Sequence, residues 1–360
     1  MKTVCRSMLL VASLLAAGSA FAAGVNIGVV APQDGNFASL GAQIAAGAAF
    51  SAQSDKNTVT AVNEPCTENS GQAVADALIK AKVQIAIGFL CSESLEGALP
   101  ALKDAGIPAI TVSVRSHILM EDALKNGWPF FRLAPADGDE AKKITGIILQ
   151  NWPADPIALV DDGTIHGREL IDAVRIGLDD NGLKPVFNDT LRPGQEQQIG
   201  LVRRLRKAGA TRVLIGGDRS DVAIIARDAA AEKIPLQILG GDAMRATDQP
   251  VPLADGVEAV ALPNYSELPP AASVAQTFRG NGIEPEGYVL PSAAAAFIAG
   301  QAVEAALAAK TPAAAKLIGT AWQTPIGPVA FGNNHELTEN PYQLLEWRDH
   351  QLQAPQAPAN

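Results

Sequence analysis

The chain has 360 residues, 48% of them hydrophobic, and carries 28 Lys and Arg against 38 Asp and Glu, a formal net charge of −10. That length and apolar content suit two domains of ordinary size, each with a core of its own. The acidic balance argues against a nucleic-acid or anionic-lipid partner and leaves the charge of a small ligand open, because a ligand responds to its pocket and not to the total.

The first residues set the compartment. Lys2 and Arg6 give a positive start, Met8 to Ala17 form a short apolar run, and Ala20-Phe21-Ala22 places small residues at a cleavage site. This is the order of a secretory signal peptide, residues 1–22, cut after Ala22, with a periplasmic destination. The apolar run is too short to span a bilayer. Cleavage takes Lys2, Cys5 and Arg6 away and leaves 338 residues with a formal charge of −12. No cysteine follows the cut, so a lipid anchor there is not suggested. Cys66 and Cys91 remain. An even count in an oxidising compartment suggests one disulfide. A metal site is the rival reading, and the four scattered histidines, none at ligand spacing from either cysteine, argue against it.

The mature chain alternates β-branched runs with amphipathic segments of helical length. The pattern predicts strands over Asn26–Val30, Thr58–Asn63, Gln84–Phe89 and Ala109–Val112. Helices over Gly41–Ser54, Gln72–Lys82 and Ser92–Ala105 lie between them. A run such as Gln84-Ile85-Ala86-Ile87-Gly88-Phe89 suits a parallel strand buried on both faces. A second series begins near Ala136. It has strands Ile157–Val160, Pro185–Asn188, Val213–Gly216 and Gln237–Leu239, and helices Asp139–Gln150, Gly167–Asn181, Glu196–Ala208 and Asp218–Glu232. Then the alternation breaks: a strand at Val257–Leu262, helices at Ala271–Asn281 and Gly287–Lys310, and strand-like runs at Ile326–Phe331 and Tyr342–Trp347. The Ala-rich stretch Ala293–Ala309 is interrupted by Gln301 and Glu304 and reads as a helix of a soluble domain.

The expected class is therefore α/β, with two doubly wound parallel-sheet lobes joined by a multi-segment hinge. The late elements cannot make a third core and return to the existing lobes. The division is lobe I over 23–136 and 265–329, lobe II over 137–264 and 330–352, and a disordered tail over 353–360 rich in Pro, Ala and Gln.

In open parallel sheets, ligands sit outside the carboxyl ends of the strands, where helix N-termini point amides outward. The strand-to-helix loops are thus the candidate site. In the first series they hold Gln33–Ala38, Glu64-Pro65-Cys66, Leu90–Ser94 and Ser113-Val114-Arg115-Ser116. In the second they hold Asp161–His166, Gly217–Ser220 and Gly240-Gly241-Asp242-Ala243.

Here a resemblance emerges. Gly88-Phe89-Leu90-Cys91-Ser92-Glu93-Ser94 resembles the strand-then-Cys-Ser segment of periplasmic branched-chain amino-acid binding proteins, the type I solute-binding proteins of ABC importers. Cys66 matches the cysteine that pairs with Cys91 in that family. Gly106-Ile107-Pro108-Ala109-Ile110-Thr111 resembles its next strand, and Gly240-Gly241-Asp242 its acid-bearing loop in the second lobe. The order of elements matches over nearly all of 25–350. The resemblance implies a small-molecule ligand, an amino acid or similar small carboxylate, held between the lobes. It also implies an ABC membrane permease as partner, no cofactor and a monomer.

It further implies roles for particular residues. Ser92 would cap its helix and, with the helix amides, hold the ligand's carboxylate. Ser113 and Arg115 match ligand-touching positions, and Arg115 replaces a hydroxyl residue. A guanidinium there can bind a carboxylate bidentately and puts plain leucine-like specificity in doubt. His166 and Asp218 stand where the family is often aromatic, which makes the pocket more polar. Asp242 matches the acid that receives the ligand's ammonium. Each residue also has a plain structural reading: Arg115 as a paired surface group, His166 and Asp218 as helix-start residues, Asp242 as a turn residue. Leu40 stands near the ligand in the family and also suits a core position.

An enzyme reading has little support. Asn26–Val30 is followed by Ala31-Pro32-Gln33-Asp34-Gly35 and not by G-x-G-x-x-G, and no P-loop or G-x-S-x-G elbow occurs. A secreted hydrolase and a ligand-sensing module of the same fold remain as alternatives to importer-linked binding.

Overall fold

The computed structural model describes residues 24–247 and 250–356. The signal-peptide segment and its cut site lie outside the described residues. The first half runs β1 (Asn26–Ala31), α1 (Ala38–Ser54), β2 (Thr58–Asn63), α2 (Gly71–Lys80), β3 (Ile85–Gly88), α3 (Ser92–Asp104), β4 (Ala109–Thr111), α4 (His117–Asn126) and β5 (Phe130–Arg132). The second runs α5 (Asp139–Asn151), β6 (Ile157–Asp161), α6 (Ile165–Asp180), β7 (Phe187–Thr190), α7 (Ile199–Lys207), β8 (Arg212–Gly216), α8 (Arg219–Ala231), β9 (Gln237–Gly240) and β10 (Glu258–Ala261). The late elements are α9 (Ala272–Gly280), α10 (Val289–Ala309), α11 (Ala314–Leu317), β11 (Ala321–Thr324), β12 (Gly327–Ala330), β13 (Gln343–Arg348) and β14 (Gln351–Gln353).

Two separate sheets follow, as the βα alternation requires. The first has the order β2-β1-β3-β4-β5, all parallel, and the second β14-β13-β10-β9-β8-β6-β7. The second is parallel from β7 to β10, and its last two strands, β13 and β14, run antiparallel. Ile85, Ala86 and Ile87 of β3 are wholly buried, because α2 and α3 cover one face of the sheet and α1 and α10 the other.

The helix α10 is long and apolar enough to cross a membrane by composition. Its alanines serve another purpose. Ala294, Ala295, Ile298, Ala299 and Ala302 are fully buried in the core of the first sheet, beside Ile44 and Ala48 of α1. Small side chains let the two helices come close. At Gly47 a Cβ would overlap the Val289 carbonyl, so a glycine is needed there.

The late elements divide between the sheets. The helix α9 packs with Phe50 and Leu290, and the hairpin β11–β12 joins the first core through Val329, while β10, β13 and β14 extend the second sheet. Among the described residues the chain therefore passes between the two sheets three times: after β5, after β10 and after β12.

Local differences from the sequence reading have simple causes. The ten-residue helix α4 and the three-residue β5 were not anticipated; three residues are too few to show a period. The run Ile326–Phe331 is half of a hairpin, turned by Gly327 with φ +99°. In the segment read as a disordered tail, Gln353 still pairs with Glu346 and donates from Nε2 to the Arg348 carbonyl at 3.0 Å, and residues 357–360 lie outside the described residues.

Candidate ligand site between the two sheets

The loop that opens α3 is built before any ligand arrives. Gly88, Phe89 and Cys66 have φ of +102°, +56° and +54°, conformations that cost a non-glycine residue about a kcal/mol or more. Three covalent and polar ties hold them. Cys66 and Cys91 form a disulfide with Cα atoms 5.4 Å apart. The two oxygens of Glu64 accept the Leu90 N–H at 2.8 Å and the Cys91 N–H at 3.1 Å. Glu64 is 1% exposed. Burial pushes its carboxyl up to about 7, against the lowering effect of the two amides and with help from the Glu93 charge. Glu64, Cys66 and Cys91 also form a cluster with metal-ligand spacing, but the two sulfurs are bonded to each other, which leaves one free ligand.

The helix itself begins at Ser92, the start read from the sequence, which makes Ser92 its first residue. Its N-cap is Cys91, whose side chain makes no cap bond, so Ser92 is not the cap. Ser92 is half-buried in the first turn of the helix.

Ser113 and Arg115 follow β4. The Ser113 hydroxyl lies 3.0 Å from that of Tyr288, at the start of α10. Its N–H, with that of Val114, donates to the buried Thr111 hydroxyl, at 3.1 and 3.0 Å. Arg115 Nη1 donates to the Tyr342 hydroxyl at 3.0 Å, reaching from the first sheet to the start of β13 in the second. Burial disfavours its charge, but Tyr342, Asp242 and Tyr288 outweigh that and raise its pKa. The loop is anchored from behind by Arg132, fully buried on β5. Arg132 donates to the Ser116 carbonyl and, from Nη1, to Glu336 at 2.9 Å.

Across from Arg115 lies the second sheet's contribution. A cavity of about 510 Å³ is bounded by Arg115 and His117 from the first half and by Glu140, His166, Glu169 and Tyr342 from the second. His166 is exposed at the second position of α6, whose cap is Thr164, accepting the Gly167 N–H at 3.0 Å. Glu140, at the second position of α5, is 9% exposed, and its Oε1 accepts the Asp242 N–H at 2.8 Å. Burial raises its carboxyl pKa, Asp242 raises it further, and the Asp242 amide, His166 and Arg115 pull it down. Asp242 is half-buried beside this cavity and accepts the Leu262 N–H at 2.9 Å. Burial pushes the Tyr265 hydroxyl up to about 12, with Arg245 and Arg115 lowering and Asp242 raising it.

Of the residues singled out from the sequence, Arg115 and His166 share the cavity wall, and Asp242 adjoins it through Glu140. Ser113 is tied to Tyr288, and Ser92 opens α3. Asp218 is the exposed N-cap of α8 without a side-chain cap bond. Its charge raises the pKa of Asp221, and it does not line this cavity. Leu40 is half-buried in the first turn of α1. Glu140, Tyr288 and Tyr342 also contribute polar groups and were not foreseen, and Glu64 was named only as part of its loop.

A model of the periplasmic binding proteins matches residues 24–351, nearly all of the described chain. The chain belongs to the periplasmic binding protein family. Members of this family bind solutes and are not enzymes, and they work in the periplasm. This periplasmic binding protein is 29% identical to an amino acid binding protein of Pseudomonas aeruginosa, over 96% of each chain. Among solved structures it is similar to an ABC transporter substrate-binding protein from Desulfitobacterium hafniense in complex with Leu. The TM-score is 0.65 and identity 19%, over 91% of this chain and 99% of that one. It is also similar to a solute-binding protein of an ABC transporter from Rhodopseudomonas palustris HaA2 in complex with p-hydroxybenzoic acid. Here the TM-score is 0.62 and identity 16%, over 91% and 94%. At these identities the structures establish the two-lobed type I fold.

Proposed function

We propose that the chain is the substrate-binding component of an ABC importer, taking an amino acid or similar small carboxylate between its lobes and presenting it to a membrane permease as a monomer. The observation that carries this reading is the shared cavity. Arg115 from one half and Glu140 and His166 from the other face it, so a small ligand with charged ends can touch both halves at once. The anionic end belongs to the first lobe: Ser92 with the N-terminal amides of α3, Ser113, and Arg115. The second lobe offers His166, Glu140 and Asp242, with Asp218 left for the far end of an extended ligand. The relative's name, amino acid binding protein, and the Leu and p-hydroxybenzoic acid complexes agree with this ligand range.

The moving bodies are lobe I, residues 23–136 and 265–329, and lobe II, residues 137–264 and 330–352. The three crossings form the hinge. Export follows cleavage after Ala22. A thermal-shift screen of amino acids and small organic acids tests the reading. A true ligand stabilises by about 2.7 kcal/mol at a hundredfold excess over Kd, and a screen without any stabilising compound in either class counts against it.

A further inference from the structure

A larger cavity lies in the second half alone. It holds about 640 Å³, against about 510 Å³ between the halves, and shares no lining residue with that one. One side of it is the loop 192–198, which α8 pins at two points. Asp221 Oδ1 accepts the Gly194 N–H at 2.9 Å, and Asp228 Oδ2 accepts the Gln198 N–H at 2.6 Å. Between the pins, loop and helix bound the space together with Ile199, Ile224, Pro250 and Val251. Asp228 is closed off. Its Oδ1 accepts Arg227 Nε at 2.9 Å and Nη2 at 2.7 Å, and Nη2 also donates to the Glu196 carbonyl. Asp221 is not closed off. It lines the cavity, is 2% exposed, and its Oδ2 has no hydrogen-bond or ion-pair partner among the described residues. The sealed side-chain atoms without a partner there are others, Arg132 Nε, Ser292 Oγ and Trp322 Nε1, so Asp221 Oδ2 opens onto the cavity. Burial raises the Asp221 pKa against the pull of the Gly194 amide, and the Asp218 and Asp162 charges raise it further.

The geometry points to this cavity as a second binding site, for a small aliphatic diamine. One ammonium sits on Asp221 Oδ2, the methylenes run along Ile199 and Ile224, and the other ammonium meets the exposed Glu196 at the mouth. The physical reason is charge balance. A carboxylate this buried is costly without a cationic partner. The neighbouring cations are engaged elsewhere. Arg227 holds Asp228, while Arg219 donates to the Met244 carbonyl at 3.0 Å and lies over the Trp347 ring at 3.9 Å. The charge must therefore come from a ligand. A bare metal ion does not fit, because Asp221 belongs to no group with metal-ligand spacing among the described residues. An anionic or zwitterionic ligand would set its carboxylate among Asp218, Asp221 and Glu196. A diamine meets both acids of the cavity, and the apolar walls suit its chain.

Calorimetric titration of the whole protein with cadaverine tests this, with pentylamine and 1,5-pentanediol as comparisons. Cadaverine should bind and the uncharged diol should not. Pentylamine should bind up to about fivefold more weakly than cadaverine, because Glu196 is exposed. Asp221→Asn keeps an oxygen for the Gly194 N–H, so the fold is expected to survive. It should weaken cadaverine by roughly thirtyfold or more. Ile224→Trp leaves the acid in place, fills the cavity and should block cadaverine. Thermal unfolding shows which variants fold, and Ile224→Trp decides the matter if Asp221→Asn does not. A wild type that binds no cadaverine overturns the assignment, as does one that binds the diol equally well. Undiminished cadaverine binding in either folded variant overturns it too. A ligand from the thermal-shift screen that competes with cadaverine would put the diamine between the halves and likewise overturn it. None of these failures touches the proposed interlobe site, whose ligands that screen tests separately.

Discussion

Glu64 offers a direct test of how the first half of the site is held. Its carboxyl is 1% exposed and bonded to two amides, and burial pushes it from an ordinary 4.5 to about 7. In the unfolded chain the same group titrates near its ordinary value. Between these pH values the native state holds a proton that the unfolded state has lost. Stability from this group is therefore complete below about pH 4.5 and is lost as pH rises through about 7. At about 1.4 kcal/mol per pH unit, the loss across that window is roughly 3 kcal/mol. Glu64→Gln removes the titration. It also turns an NH2 towards one of the two amides, a cost that does not vary with pH. The slope is consequently the diagnostic, not the absolute stability. Urea unfolding of both proteins at several values from about pH 4 to about pH 8 should show the wild type losing roughly 3 kcal/mol relative to the variant as pH rises. Parallel profiles would refute the reasoning, and so would a wild type that gains relative to the variant.

Four further outcomes are expected. Periplasmic material should begin at Ala23 and take up alkylating reagent at Cys66 and Cys91 only after reduction, as intact mass will show. Because the bridge spans 25 residues of sequence, replacing both cysteines by Ala should cost about 3 kcal/mol by chain-entropy reasoning, read by denaturant unfolding. Glu336→Gln leaves the fully buried Arg132 guanidinium without its anion, and should destabilise by about 3 kcal/mol, where a loss under about 0.5 kcal/mol would mark the pair as a surface contact. Small-angle scattering should give a smaller radius of gyration with a ligand found in the screen, and an unchanged radius at saturation would argue against hinge closure.

Much of the architecture was legible because it rests on local pattern. Strands such as Ile85–Gly88 are continuous apolar runs, and the helices between them carry their apolar stripe in sequence order. The disulfide was legible from two cysteines in a chain read as exported. The site was legible only as a set of loops, since each strand end names its loop and not the direction of a side chain. Glu140 reads in sequence as an ordinary acid in a helix first turn, beside Asp139, favourable to the helix dipole wherever it points. Its role depends on Gly241, about a hundred residues away, and no local signal links the two. Tyr342 reads as the first residue of a strand. Only the third crossing brings its hydroxyl to Arg115. Glu64 sits between Asn63 and Pro65, and nothing there shows that Leu90 and Cys91 will need an acceptor. The one available hint was the Gly240-Gly241 pair, whose absent side chains imply that something approaches the backbone closely.

The two halves of the site are fixed by different means, and this bears on how they could work together. In the first, the disulfide and Glu64 hold left-handed residues at Phe89 and Cys66, so the amides ahead of α3 are set without a ligand. In the second, the Gly241 backbone and Glu140 lock each other through the Asp242 N–H. Neither half has to reorganise internally to meet a ligand, so ordering costs at the contact groups are small. The adjustable contacts lie between the halves. Arg115 to Tyr342 is a single hydrogen bond across the crossing segment, worth about 1.5–3 kcal/mol for a charged donor. A ligand carboxylate that recruits Arg115 must compete with Tyr342 for it. Under the proposed function, Arg115 would couple ligand binding to the relative position of the sheets: holding Tyr342 would keep one arrangement, and turning to the ligand would release it.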